Sequence, residues 1–274
     1  MPIPVTIILL YKGVTNHPPV AKGGDGNALR ARRKQIDCYS HSGTVYSSFE
    51  TQLPPFSALQ LQHSLREPVS LVSAYDLRRE GDKFAELCRE FRKTSVLLLD
   101  SGGYEHSHAT RYSGDGAPTW TFDDFRTICG LALYDYVFSF DYFWREQNNA
   151  ERPADFTTRL QDRIFAGHDF VPADRLIPVL HLHAHGNDNQ RLSEDEILSL
   201  VAAIGSQCLS PFVAIPEREL GDGLLNKYRL AKRICDVLAA QDREIGLHIL
   251  GCGNLLSFAY FAVAGAKLVD GLEW

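Results

Sequence analysis

At 274 residues, 45% apolar and 23% charged, the chain has the composition of a globular protein with one barrel-sized core or two small domains. A net charge of −6 and a pI near 5.9 argue against a global basic field for binding nucleic acid, and no apolar run approaches the ~18 residues that cross a bilayer. The six cysteines are scattered with no C-x-x-C pair, which argues against a disulfide framework or zinc knuckle and points to a reducing cytoplasm.

The N-terminal "PIPVTIILLYKG" lacks a basic leader and a small-residue cleavage site, so it reads as a strand and not as a signal peptide. Segment 12–43 is rich in glycine, histidine and basic residues and carries the cluster Arg30, Arg32, Arg33 and Lys34. Residues 1–43 are therefore expected to form an N-terminal extension with a basic loop, and 44–274 the main domain. The bland reading of the cluster is a solvated helix face.

From residue 44, strand-like and helix-like patterns alternate. "TVYSSFE" (44–50) is a strand followed by a helix at 56–65, and "PVSLVSA" (68–74) is a strand followed by a helix at 82–93. "SVLLLD" (95–100) leads to a helix at 121–133 with Thr121 as its cap, and "YDYVFSFD" (134–141) to a helix at 153–167. "RLIPVLHLH" (175–183) precedes a helix at 193–205 opened by a Ser193/Glu196 capping box. "SPFVAIP" (210–216) and "GLHILG" (246–251) flank a long helix within 222–241; a helix at 254–266 and a last strand, "KLVDG" (267–271), close the order. Eight βα units with continuously apolar strands predict an α/β fold, a (β/α)8 TIM barrel, with an open doubly wound sheet as the alternative.

In a parallel barrel the reactive groups gather at the C-terminal strand ends. Those ends read Asp100-Ser101-Gly102-Gly103-Tyr104-Glu105, Phe140-Asp141, His181-Leu182-His183, Pro216-Glu217-Arg218, Gly251-Cys252-Gly253 and Asp270-Gly271. One aspartate at a strand end is commonly a turn residue or cap; three at three ends suggest a shared pocket.

These motifs resemble the tRNA-guanine transglycosylase superfamily (queuine or archaeosine tRNA-ribosyltransferases), which exchanges guanine in nucleic acid for a 7-deazaguanine. The likeness runs from about residue 68 to the end. "LLLDSGGYE" resembles the family's D-S-G-G-[FY]-Q, "YVFSFD" its base-reading strand, "ELGDG" (219–223) the glycine-rich segment after its sixth strand, "HILGCG" (248–253) its "LMGVG", and "AGAKLVDG" (264–271) its "GVDxFD". The resemblance implies that Asp270 is a covalent nucleophile and Asp100 the neighbouring acid/base. It implies that Asp141 reads the base and Tyr104 stacks on it, with Ser101 and Gly102 leaving room for its approach. His181 stands where the family has glutamine, and Pro216-Glu217-Arg218 where it has Gly-Gly-Leu, so Glu217 and Arg218 are candidates to bind the base's far edge. The Arg30–Lys34 cluster is the candidate contact for the nucleic-acid backbone. The expected partners are tRNA or DNA and a deazaguanine base, without membrane; a homodimer or partner subunit is compatible with the sequence. No cofactor is expected and no metal ligand is assigned.

The family's three-cysteine, one-histidine zinc subdomain and the barrel's last helix are expected to be absent. The ending "VDGLEW" is more like the branch associated with deazapurine modification of DNA. Structural alternatives stand beside each role: Tyr104 as a rim aromatic, Gly251 and Gly253 as turn glycines, Glu105 as a solvated side chain. Two other readings of function are a metal-dependent barrel hydrolase built on His181, His183 and His185, and a non-catalytic base-binding relic.

Overall fold

A computed structural model describes residues 46–49, 53–67, 69–103, 120–140, 156–182, 192–252 and 255–271. Their order is β1 (Tyr46–Phe49), α1 (Pro55–Leu65), β2 (Val69–Ser73), α2 (Ala74–Glu80), α3 (Asp82–Phe91), β3 (Val96–Asp100), α4 (Phe122–Cys129), β4 (Tyr136–Phe138), α5 (Phe156–Phe165) and β5 (Leu176–Ile177). Then follow α6 (Glu194–Gln207), β6 (Phe212–Pro216), α7 (Leu224–Ala239), β7 (Gly246–Leu250), α8 (Leu255–Ala264) and β8 (Leu268–Gly271). The fold is mixed α/β. The extension to residue 43, with its basic cluster, lies outside the described residues.

All eight expected strands are present, several shorter than their apolar runs. The run at 68–74 stops at Ser73 because Ala74 begins α2, a helix that the sequence reading passed over. Around 175–183 the ladder covers only Leu176–Ile177, since Pro178 has no N–H to donate, although Val179 bridges onward to Ala214. The helix expected at 121–133 ends at Cys129, where the chain turns through Ala132 at φ +51°. Both expected caps are reciprocal boxes: Thr121 and Ser193 accept from the backbone N–H of Asp124 and Glu196, whose carboxylates accept in return.

The strands pair in parallel as two four-stranded sheets, β1-β8-β7-β6 and β2-β3-β4-β5. The Val179–Ala214 bridge connects the end of β5 to β6, with Leu180 N–H donating to the Ala214 carbonyl at 2.9 Å and Ala214 N–H to Pro178 at 2.8 Å. At the other edges, β1 lies beside β2.

Strand alternation sorts the core into three layers. Leu97, Leu99 and Val137 face Phe84, Phe91 and Phe125 of α3 and α4. Val213, Ile215, Leu247, Ile249 and Val269 face Ile197, Ile234 and Phe261 of α6, α7 and α8. The intervening positions of both sheets, among them Leu98, Phe138, Ile177, Ala214 and Leu268, pack against one another. Each fully buried large side chain contributes about 1.5–3 kcal/mol, so the inner layer firmly fixes which alternate residues point inward. Reactive side chains at the strand ends inherit their direction from that layer.

Candidate active site

Leu268 faces the inner layer and Val269 the helices, so Asp270, one residue further along β8, points inward again. It is buried at 3% exposure. Its Oδ1 accepts the N–H of Gly251, a residue held at φ +68°, where glycine has no steric penalty. Its Oδ2 lies 2.9 Å from Nε2 of His248, which is fully buried on β7. The two are at ion-pair distance but out of line for a hydrogen bond: neither Oδ2 nor either ring nitrogen has a hydrogen-bond partner among the described residues. The imidazole leans on Phe138, with ring centroids 5.3 Å apart. His248 escaped the sequence reading; the available signal was one titratable side chain within the five-residue apolar strand "GLHIL".

On β3 the same alternation turns Asp100 to the inner face along with Val96 and Leu98. Its Oδ2 accepts the N–H of Gly102 at 2.9 Å, a local turn bond. Ser101 is fully buried; its carbonyl takes the Trp120 indole N–H at 2.9 Å, and Trp120 meets Tyr75 edge-on at 5.6 Å. Gly102 sits at φ +81°, and a Cβ there would lie 2.7 Å from the Tyr75 backbone nitrogen. Packing against α2 is thus sufficient reason for that glycine, independent of any base.

The segment after β6 carries two buried carboxylates in a 3-10 turn, Glu217–Glu219. Glu217 Oε1 receives Lys227 Nζ at 3.1 Å and Ser257 Oγ at 2.9 Å, which ties the turn to α7 and α8. Glu219, named in the sequence only within "ELGDG", accepts from His181 Nδ1 at 2.8 Å and from the N–H of Leu182. Burial would push Glu219 up, but the His181 imidazole, the Leu182 N–H and the Arg218 guanidinium outweigh it, so the carboxyl titrates below its ordinary range. His181 is therefore turned toward a carboxylate. Arg218 is exposed, its Nε 3.9 Å from Glu219.

Cys252 lies between the two carboxylate systems: its thiol is pushed up by burial and further by Glu217 and Asp270. Burial likewise pushes the thiols of Cys88, Cys129 and Cys235 up to about 12, which leaves them inert side chains. The described strand ends thus offer carboxylates and imidazoles for chemistry, and no activated thiol.

Asp100, Ser101 and Gly102 are brought together by one strand end; His181 and Arg218 meet at Glu219, while Glu217 accepts from Lys227 and Ser257. Tyr104, Asp141, His183, His185, Gly253 and the cluster Arg30, Arg32, Arg33 and Lys34 lie outside the described residues. Among those described, no group of three or more His, Cys, Asp or Glu side chains is placed to hold a metal ion. Compared with known proteins, the chain matches no family model and no curated sequence significantly.

Proposed function

We propose that the chain is a guanine transglycosylase on a closed (β/α)8 barrel, replacing guanine in tRNA or DNA with a 7-deazaguanine base. The barrel reading is supported by the bridge from β5 to β6, by β1 lying beside β2, and by the inner layer to which both sheets contribute. Catalysis is supported chiefly by one observation: Asp270, next to last in β8, lies on the inward face with Oδ1 tethered by Gly251 and Oδ2 without a hydrogen-bond partner among the described residues.

In this reading an Asp270 oxygen attacks the anomeric carbon while the bond from that carbon to the guanine nitrogen breaks. The electron pair leaves on the base, which takes a proton from the Asp100 carboxyl. The incoming base returns a proton to Asp100, attacks the anomeric carbon and displaces Asp270, so the sugar passes through a covalent aspartyl ester with net retention. Asp141 accepts donors of the guanine edge and Tyr104 stacks on the ring, roles proposed on the motif alone. The target nucleotide is single-stranded or flipped out. Among the described residues no helix is long and apolar enough to cross a membrane, and the free, mostly buried thiols suit a reducing cytoplasm.

Incubating the protein with radiolabelled guanine and, separately, with tRNA and with duplex DNA tests this. Label is expected in one polymer; label in neither removes the transglycosylase reading.

A further inference from the structure

We infer that His248 is a positioning residue for Asp270, acting through its carboxylate and not on the substrate; the inference rests on the transglycosylase reading above. A carboxylate as buried as Asp270 loses its hydration and needs compensation from neighbouring dipoles or charge. The Gly251 N–H supplies this at Oδ1. Among the described residues, Oδ2 is met by the imidazole of His248, 2.9 Å away. That imidazole is itself fully buried and has no hydrogen-bond partner among the described residues, so the two side chains answer each other's burial as an ion-pair contact.

The offset between them suits a nucleophile. An in-line hydrogen bond would occupy the Oδ2 lone pair that has to reach the anomeric carbon. With no ring N–H aligned on that oxygen, the imidazole 2.9 Å away orients the carboxylate electrostatically and leaves the lone pair uncommitted to a hydrogen bond. Phe138 holds the ring from one side, and Ala214, directly across from His248 in the β6–β7 register, is small enough to accommodate it. His248 is thereby locked by packing and not by loops, the condition for holding a reacting group to within a fraction of an ångström.

The test uses full-length H248L, H248Q and D270N proteins. With wild-type protein, exchange of labelled guanine is measured across substrate concentration, and the ¹⁵N signals of the imidazoles are recorded with and without the D270N change. His248→Leu is expected to lower kcat by about 10²-fold with KM within about twofold, because misplacing a reacting group by about an ångström has that effect. His248→Gln, whose amide N–H reaches the place of Nε2, is expected to recover about tenfold of the loss. The His248 ring signals should move in D270N. Unmoved signals, or a KM rise at constant kcat, would overturn the pairing while leaving exchange by the wild type intact. A wild-type protein without exchange activity would instead overturn the transglycosylase reading and the catalytic part of this inference, with the ring signals still reporting the pair.

Discussion

Glu219, in the half of the molecule built on β6–β8, and Asp76, on α2 in the half built on β2–β5, are both carboxylates largely withdrawn from water. Their titrations move in opposite directions. Glu219 is met by the His181 ring, the Leu182 N–H and Arg218, partners contributed by two separate strand ends, and is held below its ordinary range. Asp76 is pushed up to about 6, foremost by burial; Arg79, 3.9 Å away, pulls it down too weakly, and Glu80 pushes it further up. Burial is common to both, so partners decide the sign. The same division holds at the strand ends. Asp270 and Glu217 accept from groups distant in sequence, and Asp100 accepts the N–H of Gly102 two residues further on.

The largest effect is expected at Asp270. Asp270→Asn preserves shape but removes the charge proposed to attack the sugar, and on that proposal exchange should fall by about 10⁴-fold or more while deazaguanine binding survives. Wild-type protein denatured during turnover should carry a covalently attached nucleotide, and D270N none. An adduct persisting in D270N would move the nucleophile to another carboxylate and dissolve the contrast with Asp100.

Next comes Glu219→Ala, which leaves His181 and the Leu182 N–H facing each other without their acceptor. The expected loss is about 3 kcal/mol, read as a Tm lowered by roughly 6–12 °C. Because the folded value lies below the ordinary 4.5, the stability Glu219 supplies is complete above that pH. It is lost as pH falls through the folded value. The wild-type advantage over E219A should therefore shrink on acidification; an advantage that grew toward acid pH would reverse the sign assigned here.

The architecture was largely legible because continuous apolar strands separated by capped helices can bury themselves in few ways. Ser193 with Glu196 announced its helix because a capping box is written in adjacent residues. What was hidden depends on neighbours that no local pattern encodes. His248 looks like an oddity in a strand until Asp270 of the next strand stands beside it. Glu219 looks like part of a glycine-rich turn until the end of β5 closes on it. Gly102 was read as leaving room for a base; its packing against the backbone of Tyr75, a neighbour no local pattern encodes, is by itself sufficient reason for a glycine there. Asp270 was singled out through a motif; the His248 beside it was not.

Gly102 also offers a graded test in the half built on β2–β5. Gly102→Ala meets both a positive φ and the Tyr75 backbone, and should cost about 2–3 kcal/mol. Gly223→Ala, at φ +75° and ψ 146° with nothing within 4 Å, carries the backbone strain without the contact and should cost less, about 1–2 kcal/mol. Urea unfolding midpoints at equal m-values separate the two; equal losses would show that φ alone sets the penalty and that the contact with Tyr75 yields easily.

The smallest effect, and the one of opposite sign, is expected at Asp76. Its folded value, about 6, lies above the ordinary 3.8, so the folded state binds the proton more tightly than the unfolded chain does. Its favourable contribution is complete below 3.8 and disappears as pH rises through about 6. At neutral pH the carboxylate is instead charged in a poorly compensated place. Asp76→Asn removes that charge and should stabilise the protein by about 1 kcal/mol at pH 7, after allowance for the side chain's partial exposure and for the lost attraction to the start of α2. Near pH 4 the wild-type carboxyl is already protonated when folded, so the two proteins should converge. Denaturant midpoints at the two pH values decide the matter. Equal destabilisation by D76N at both would mean that Arg79 compensates Asp76 as fully as His181 compensates Glu219, and the contrast between the two halves would fail at that point.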